Sequence, residues 1–192
     1  MTTQLRSSTF TLRKGAQVTM RPLTSADVEL ERNFIMGLSP QSRRFRFLDT
    51  IAAPSAQLLR QLTTLDPRKE AAFIALTTEH GVEREIGVAR LCATDDGKAE
   101  FAVAVSDAWL RQGLGTSLTK CIIEEAKARA IHTLFSVDSA DNLAMRHFAT
   151  SFGFEHATNP DDSTEVVHTL HLSHLRKPEA RRQNAADGRH AP

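Results

Sequence analysis

Gly113 and Gly115 stand where a run of alternating apolar and small residues gives way to a helical pattern. Phe101, Val103 and Val105 alternate with Glu100, Ala102 and Ala104, which predicts a strand over 99–105. Beyond the glycines, Leu114, Leu118, Cys121, Ile122 and Ala126 recur at helical spacing. The first N–H groups of a helix lack an intrahelical acceptor, and the helix dipole adds about half a positive charge at that end. Glycine lets this backbone approach an anion with no Cβ in the way. Strand, glycine turn and helix start therefore predict a cradle for a phosphate-bearing ligand.

The elements that must position this cradle follow in chain order. Residues 1–14 are polar with isolated apolars and read as an irregular arm, and residues 15–175 as one domain. Residues 17–21 alternate as a strand ended by Pro22. Thr24 or Ser25 caps a helix with Leu30, Phe34, Ile35 and Leu38 on one face. Ser39-Pro40 starts a second short helix through Phe47, and Pro54-Ser55 a third with its leucines inward. Strands over 71–76 and 85–91, joined near Gly81, make an antiparallel meander with the strand at 99–105. A strand over 133–137 runs parallel to 99–105 through the intervening helix. Asp141-Asn142 caps a helix stopped at Gly153, and 154–156 and 166–172 close the sheet. Residues 176–192 have no apolar period and read as a disordered tail.

Composition narrows the function classes. The chain has 192 residues, 41% hydrophobic and 24% charged, with a formal net charge of +1, so nothing global points to nucleic acid or an anionic membrane. No apolar run approaches a membrane span and the N-terminus lacks a signal-peptide core, which gives a cytoplasmic expectation. Cys92 and Cys121 match no metal or redox spacing, and tyrosine is absent.

A dinucleotide-binding fold competes for the glycine turn, because Val137-Asp138 ends a strand about 20 residues on, where a ribose-binding acid would sit. Against it, Leu118 stands at the third glycine position and three antiparallel strands precede the motif. A P-loop is excluded because no Gly-Lys-Ser/Thr follows. Val103-Ala104-Val105, Gly113-Leu114-Gly115 and Leu118, followed by Asn142-Leu143-Ala144-Met145 and Phe152-Gly153-Phe154, resemble the acetyl-CoA-binding core of the GNAT acyltransferases.

That resemblance implies an α+β fold: a mixed, mostly antiparallel sheet of about six to seven strands, splayed between the fourth and fifth, with helices on both faces. It implies acetyl-CoA as acyl donor, with the pantetheine arm on backbone groups of Val103 and Val105. The pyrophosphate would rest on N–H groups of Gln112, Gly113, Leu114, Gly115 and Thr116, with Asn142 and Arg146 touching the arm or phosphates. Two positions depart from the family pattern. Leu110 replaces the usual Gln or Arg before the glycines, leaving Arg111 or backbone amides to meet phosphate, and Ala149 replaces a tyrosine acid.

Leu38-Ser39-Pro40-Gln41-Ser42-Arg43-Arg44-Phe45-Arg46-Phe47 and Glu100-Phe101-Ala102-Val103 resemble the bacterial protein lysine acetyltransferases that modify acyl-CoA synthetases. This implies a primary amine as acceptor, most simply a protein lysine, with Glu100 as general base and the backbone N–H near Val103 polarising the thioester. The alternatives are a small-molecule amine acetyltransferase and a non-catalytic acyl-CoA-binding module. The bland reading of Glu100 is an ion pair with Arg90 or Lys98; Arg43, Arg44 and Arg46 read equally as a patch that meets an acidic partner surface or as helix-surface arginines paired with Asp49 or Asp27. His168 and His171 are expected on opposite faces of one strand, without metal; His147 reads as solvated, Trp109 as a packing anchor and Asp107 as a turn former.

Overall fold

The computed structural model describes residues 7–49 and 51–172. Eight strands form one sheet in the order β1-β2-β3-β4-β5-β6-β8-β7, the strands being β1 Ser8–Thr11, β2 Gln17–Pro22, β3 Glu70–Glu79, β4 Val82–Ala93, β5 Lys98–Val105, β6 Thr133–Ser139, β7 Glu155–Thr158 and β8 Glu165–His171. All neighbours are antiparallel except β5 and β6. The helices are α1 Val28–Gly37, α2 Pro40–Phe47, α3 Ala56–Thr63, α4 Leu114–Ala128 and α5 Leu143–Ser151. This is the mixed α+β architecture expected, with one strand more than the six to seven counted. The extra strand corrects the reading of 1–14 as an irregular arm: Ser8–Thr11 pairs with Gln17–Met20 as an edge strand. Residues 1–6 and the tail at 176–192 lie outside the described residues.

Local chemistry explains the element boundaries. Ser39 caps α2, its hydroxyl accepting from Ser42 N at 3.2 Å with Pro40 at the first helical position; Ser55 caps α3 in the same way. Thr24 and Asp27 form a reciprocal capping box over a 3₁₀ turn before α1.

Strand β3 alternates between two cores. Ala71, Phe73 and Ala75 pack with α4 against Phe101, Leu118 and Ile122, while Ala72, Ile74 and Leu76 pack with α1 and α3 against Phe34, Ile35 and Leu59. The sheet is thus covered on both faces. On β4 the pairing with β3 shifts between Ala75 and Leu76, so that Gly87 and Glu85 oppose successive residues and Ile86 is the extra one. Ile86 consequently joins the α4 core although Val88 joins the other, and Glu85 turns inward toward α1.

The break that matters for function lies between β5 and β6. They pair only at Lys98–Thr133, Ala99–Leu134 and Glu100–Phe135, and then diverge. From Phe101 to Val105 the edge of β5 facing β6 carries no partner strand, and β6 from Ser136 onward pairs with β8 alone. This is the splay expected between the fourth and fifth strands of the earlier count.

Candidate active site

A cleft of about 500 Å³ opens where the two strands part. Its walls come from β5 (Val103, Ala104, Val105), the glycine turn (Arg111, Gly113, Gly115, Thr116), α5 (Asn142, Met145, Phe148) and α2 (Ser42, Phe45, Arg46), with Asp138 of β6 among them.

The glycine turn has the features of an anion cradle. Gly113 sits at φ +95°, a left-handed conformation that a side chain would strain, and no side chain caps α4. Gly115 adopts an ordinary conformation. A Cβ there would lie 3.6 Å from the Phe148 ring and 3.7 Å from Val105, ordinary contact distances, so the space it leaves belongs to the cleft and not to packing. Leu114 is buried in the core; Gln112 is buried too, its side-chain amide donating to Ala108 O at 3.1 Å, so these two present only backbone. Val103, Val105, Gly113, Gly115, Thr116 and Asn142 therefore meet on one cleft. Asn142 also caps α5 by accepting from Met145 N at 3.1 Å. Arg146 reaches back to Ala140 O at 3.4 Å and is not among the cleft-lining residues.

Glu100 stands at the last paired rung before the strands part, on the face of the sheet that carries Ala102 and Ala104. It is exposed, and among the described residues its side chain makes neither an ion pair nor a hydrogen bond. The partners that a bland reading would give it are engaged elsewhere: Lys98 with Asp96 at 2.6 Å, and Arg90 with Glu31 at 3.7 Å and Leu62 O at 3.0 Å. The cleft-lining residues do not include Glu100 itself; it lies at the foot of the split, where its charge acts on Arg46.

Three charged residues that the sequence marked for other roles take part in the site. Arg46 projects from α2 into the cleft with Nη2 sealed from solvent and unpartnered. Burial and then the neighbouring Arg90 push it down to about 10, against the charges of Glu31, Glu100 and Asp138. Asp138, read from sequence only as a ribose-binding candidate, lines the cleft. Burial raises its carboxyl above the usual range, opposed by a 2.8 Å hydrogen bond from Ser136 and by His168, whose Nε2 stands 3.9 Å away. His168 is buried and held below its ordinary pKa by that burial, whereas His171 is exposed, so the two do face opposite sides. Asp107 does more than form a turn: it accepts from Ser39 N at 2.9 Å, Ser39 Oγ at 2.9 Å and Ser42 Oγ at 2.7 Å, fastening the start of α2 to the end of β5. Burial acts to raise its carboxyl, but these hydrogen bonds prevail and lower it.

Of the pairings expected for the arginines of α2, the one with Asp27 gives way to another partner. Arg43 donates to the carbonyls of Leu38, Ile51 and Ala52, Arg44 meets Asp141 at 3.6 Å, and Asp27 holds Arg21 at 2.7 Å. Among the described residues no group of three or more His, Cys, Asp or Glu side chains is placed to hold a metal ion.

Comparison with known proteins agrees with this geometry. The sequence model described as Acetyltransferase (GNAT) family matches residues 42–154. An acetyltransferase of Pseudomonas aeruginosa, PA5475, is 42% identical over 159 residues, 82% of this chain and 86% of that protein. The solved GNAT domain of S. lividans PAT superposes with a TM-score of 0.77 at 22% identity, covering 86% of this chain and 96% of that one. The cAMP-binding acyltransferase of Mycobacterium smegmatis matches with a TM-score of 0.59 at 21% identity, over 86% of this chain but 47% of that protein. The ribosomal-protein-S18-alanine N-acetyltransferase of Escherichia coli gives 0.58 at 21% identity, over 81% and 94% of the two chains. The parallel pair that opens after three rungs, with an uncapped, glycine-led helix at its mouth, is consistent with acetyl-CoA binding, and the chain belongs to the GNAT family of acetyltransferases.

Proposed function

We propose that the protein transfers the acetyl group of acetyl-CoA to a protein lysine, with Glu100 as the base. The observation that carries this reading is the free carboxylate of Glu100 at the foot of the split. A lysine of pKa about 10.4 must lose a proton before it can attack, a penalty of about 4–5 kcal/mol at neutral pH. Glu100, directly or through one water, takes that proton, and the amine lone pair attacks the thioester carbonyl. The backbone N–H near Val103 steadies the oxygen as charge builds on it. Collapse breaks the C–S bond, and the nitrogen's second proton passes through water to the departing thiolate, a tolerable leaving group, because no tyrosine exists to supply one.

A protein acceptor is supported by the α2 segment, whose sequence resembles the lysine-acetylating subgroup and which supplies one wall of the cleft. It is supported also by a structural relative named for a ribosomal-protein acceptor. The acceptor is tested by incubating the protein with acetyl-CoA, a cell lysate and a panel of small amines, and locating the acetylated product by mass. Products confined to small amines refute the protein-lysine reading, and CoA release with no acceptor refutes both. For the base, Glu100→Gln lowers turnover by about 100-fold or more while acetyl-CoA affinity stays within about twofold; unchanged turnover at saturating amine refutes the assignment.

A further inference from the structure

Leu110 stands where the family pattern has a phosphate-facing side chain and is exposed at the lip of the cleft, which leaves Arg111 as the cation of the glycine turn itself. A different part of the chain brings another arginine beside Gly113, just outside the cleft-lining residues. The β1–β2 hairpin turns through Leu12 to Ala16, closed by bonds from Leu12 N to Ala16 O and from Gly15 N to Leu12 O, both 2.9 Å. Leu12 is buried and anchors this turn in the α4 core. The next residue, Arg13, donates its backbone N–H to Gln112 O at 3.4 Å, which joins the hairpin to the glycine turn. The guanidinium Nε of Arg13 lies 4.0 Å from the position a Cβ would occupy on Gly113. Among the described residues that guanidinium has no hydrogen-bond acceptor or carboxylate partner. An arginine held by its backbone beside uncapped helix N–H groups, with its fork unspent, is arranged to receive a phosphate.

We propose that Arg13 is a second side-chain cation, beside Arg111, that holds the pyrophosphate of acetyl-CoA at the glycine turn, where Leu110 supplies no charge. The inference rests on the acetyl-CoA reading of the cleft. Arg13 lies outside residues 42–154, so the family match does not assign it. The hairpin that sequence left as an arm thereby becomes part of the donor site. Because Arg13 is exposed and its anchoring runs through Leu12 and the main chain, its side chain can be removed without disturbing the fold.

The test is calorimetric titration of CoA and of dephospho-CoA, which lacks the 3′-phosphate, into the wild type, Arg13→Ala and Arg13→Lys at low and high salt. Arg13→Ala should weaken both ligands by the same factor, about tenfold, with the difference shrinking as salt rises. Arg13→Lys should recover a substantial part of it. CoA binding unchanged in Arg13→Ala overturns the proposal. So does an equal, salt-independent loss in both variants, which would make Arg13 a brace, and so does a loss seen with CoA but not dephospho-CoA, which would assign it to the 3′-phosphate. Failure of the wild type to bind CoA would instead refute the acetyl-CoA reading itself.

Discussion

Glu85→Gln should make the protein more stable above neutral pH and leave it little changed in mild acid. The bulge at Ile86 turns Glu85 inward against Glu31 of α1, and both carboxyls are buried. Both Glu85 oxygens and Oε2 of Glu31 are sealed from solvent without a donor, while Arg90 reaches only the other Glu31 oxygen, at 3.7 Å. Two carboxyls in that setting relieve each other only by holding a proton between them. Burial, and after it the charge of Glu31, accordingly pushes Glu85 well above the usual carboxylate range. The folded state then binds more protons than the unfolded chain, so stability is full below the unfolded pKa and falls as pH rises toward the folded one. Gln has the shape of the protonated acid and carries a permanent donor for Glu31. The gain above neutrality is that of supplying a buried acceptor with its missing partner, about 1–3 kcal/mol. For a chain of this size each kcal/mol moves the melting point by about 2–4 °C, so the variant should melt about 2–12 °C higher in mild alkali. The assay is thermal unfolding of both proteins by circular dichroism from mild acid to mild alkali. Taking the difference cancels common titrations such as that of His168, whose lowered pKa gives stability that rises with pH. A variant that melts below the wild type in alkali, or a difference that does not grow with pH, refutes the reasoning.

Other perturbations address the site more directly. Gly115→Ala should melt no lower than the wild type, since its Cβ meets only ordinary contacts within a helix that favours alanine, yet lose acetyl-CoA affinity by about tenfold or more in a titration because that Cβ enters the cradle. Gly113→Ala should lower the melting point as well, because φ +95° is strained for alanine; equal melting points in the two variants would contradict this contrast. Asp107→Ala releases the hydrogen bonds to Ser39 and Ser42, and should cost about 1–2 kcal/mol in denaturant unfolding and raise the amine KM more than the acetyl-CoA KM. Because the Asp107 carboxyl is lowered in the fold, that stabilisation is present above the ordinary carboxylate pKa and lost as pH falls through the folded value, a loss absent from the variant.

Much of the frame was written in local patterns. The period-two runs of β3, β4 and β5, the Ser39 and Ser55 caps and the glycines opening α4 depend on neighbours a few residues apart. Ser8–Thr11 escaped because a polar edge strand with only Phe10 half-buried has no alternation to detect. Glu85 escaped because the bulge at Ile86 inverts the facing that the run from Val88 implies. Arg46, Asp138 and Arg13 take their meaning from elements distant in sequence: a helix end, a diverging strand and a hairpin turn that meet only in three dimensions. The Arg43–Arg46 cluster read as helix-surface arginines, yet Arg46 reaches into the cleft from an α2 whose start Asp107 holds.

The opening between β5 and β6 has a consequence for how this protein avoids unwanted company. A free strand edge is a template on which another chain can add, and sheet proteins usually protect edges at their rims. Here an unpaired edge lies inside the sheet, in a wedge whose closed end is the Glu100–Phe135 rung. A polypeptide seeking to pair there would have to push side chains into α2 on one face and α5 on the other, which already wall the space. A thin thread with no side chains meets no such obstacle. The wedge thus acts as a sieve by cross-section, open to a slender amide-bearing ligand and closed to the strands of misfolded neighbours.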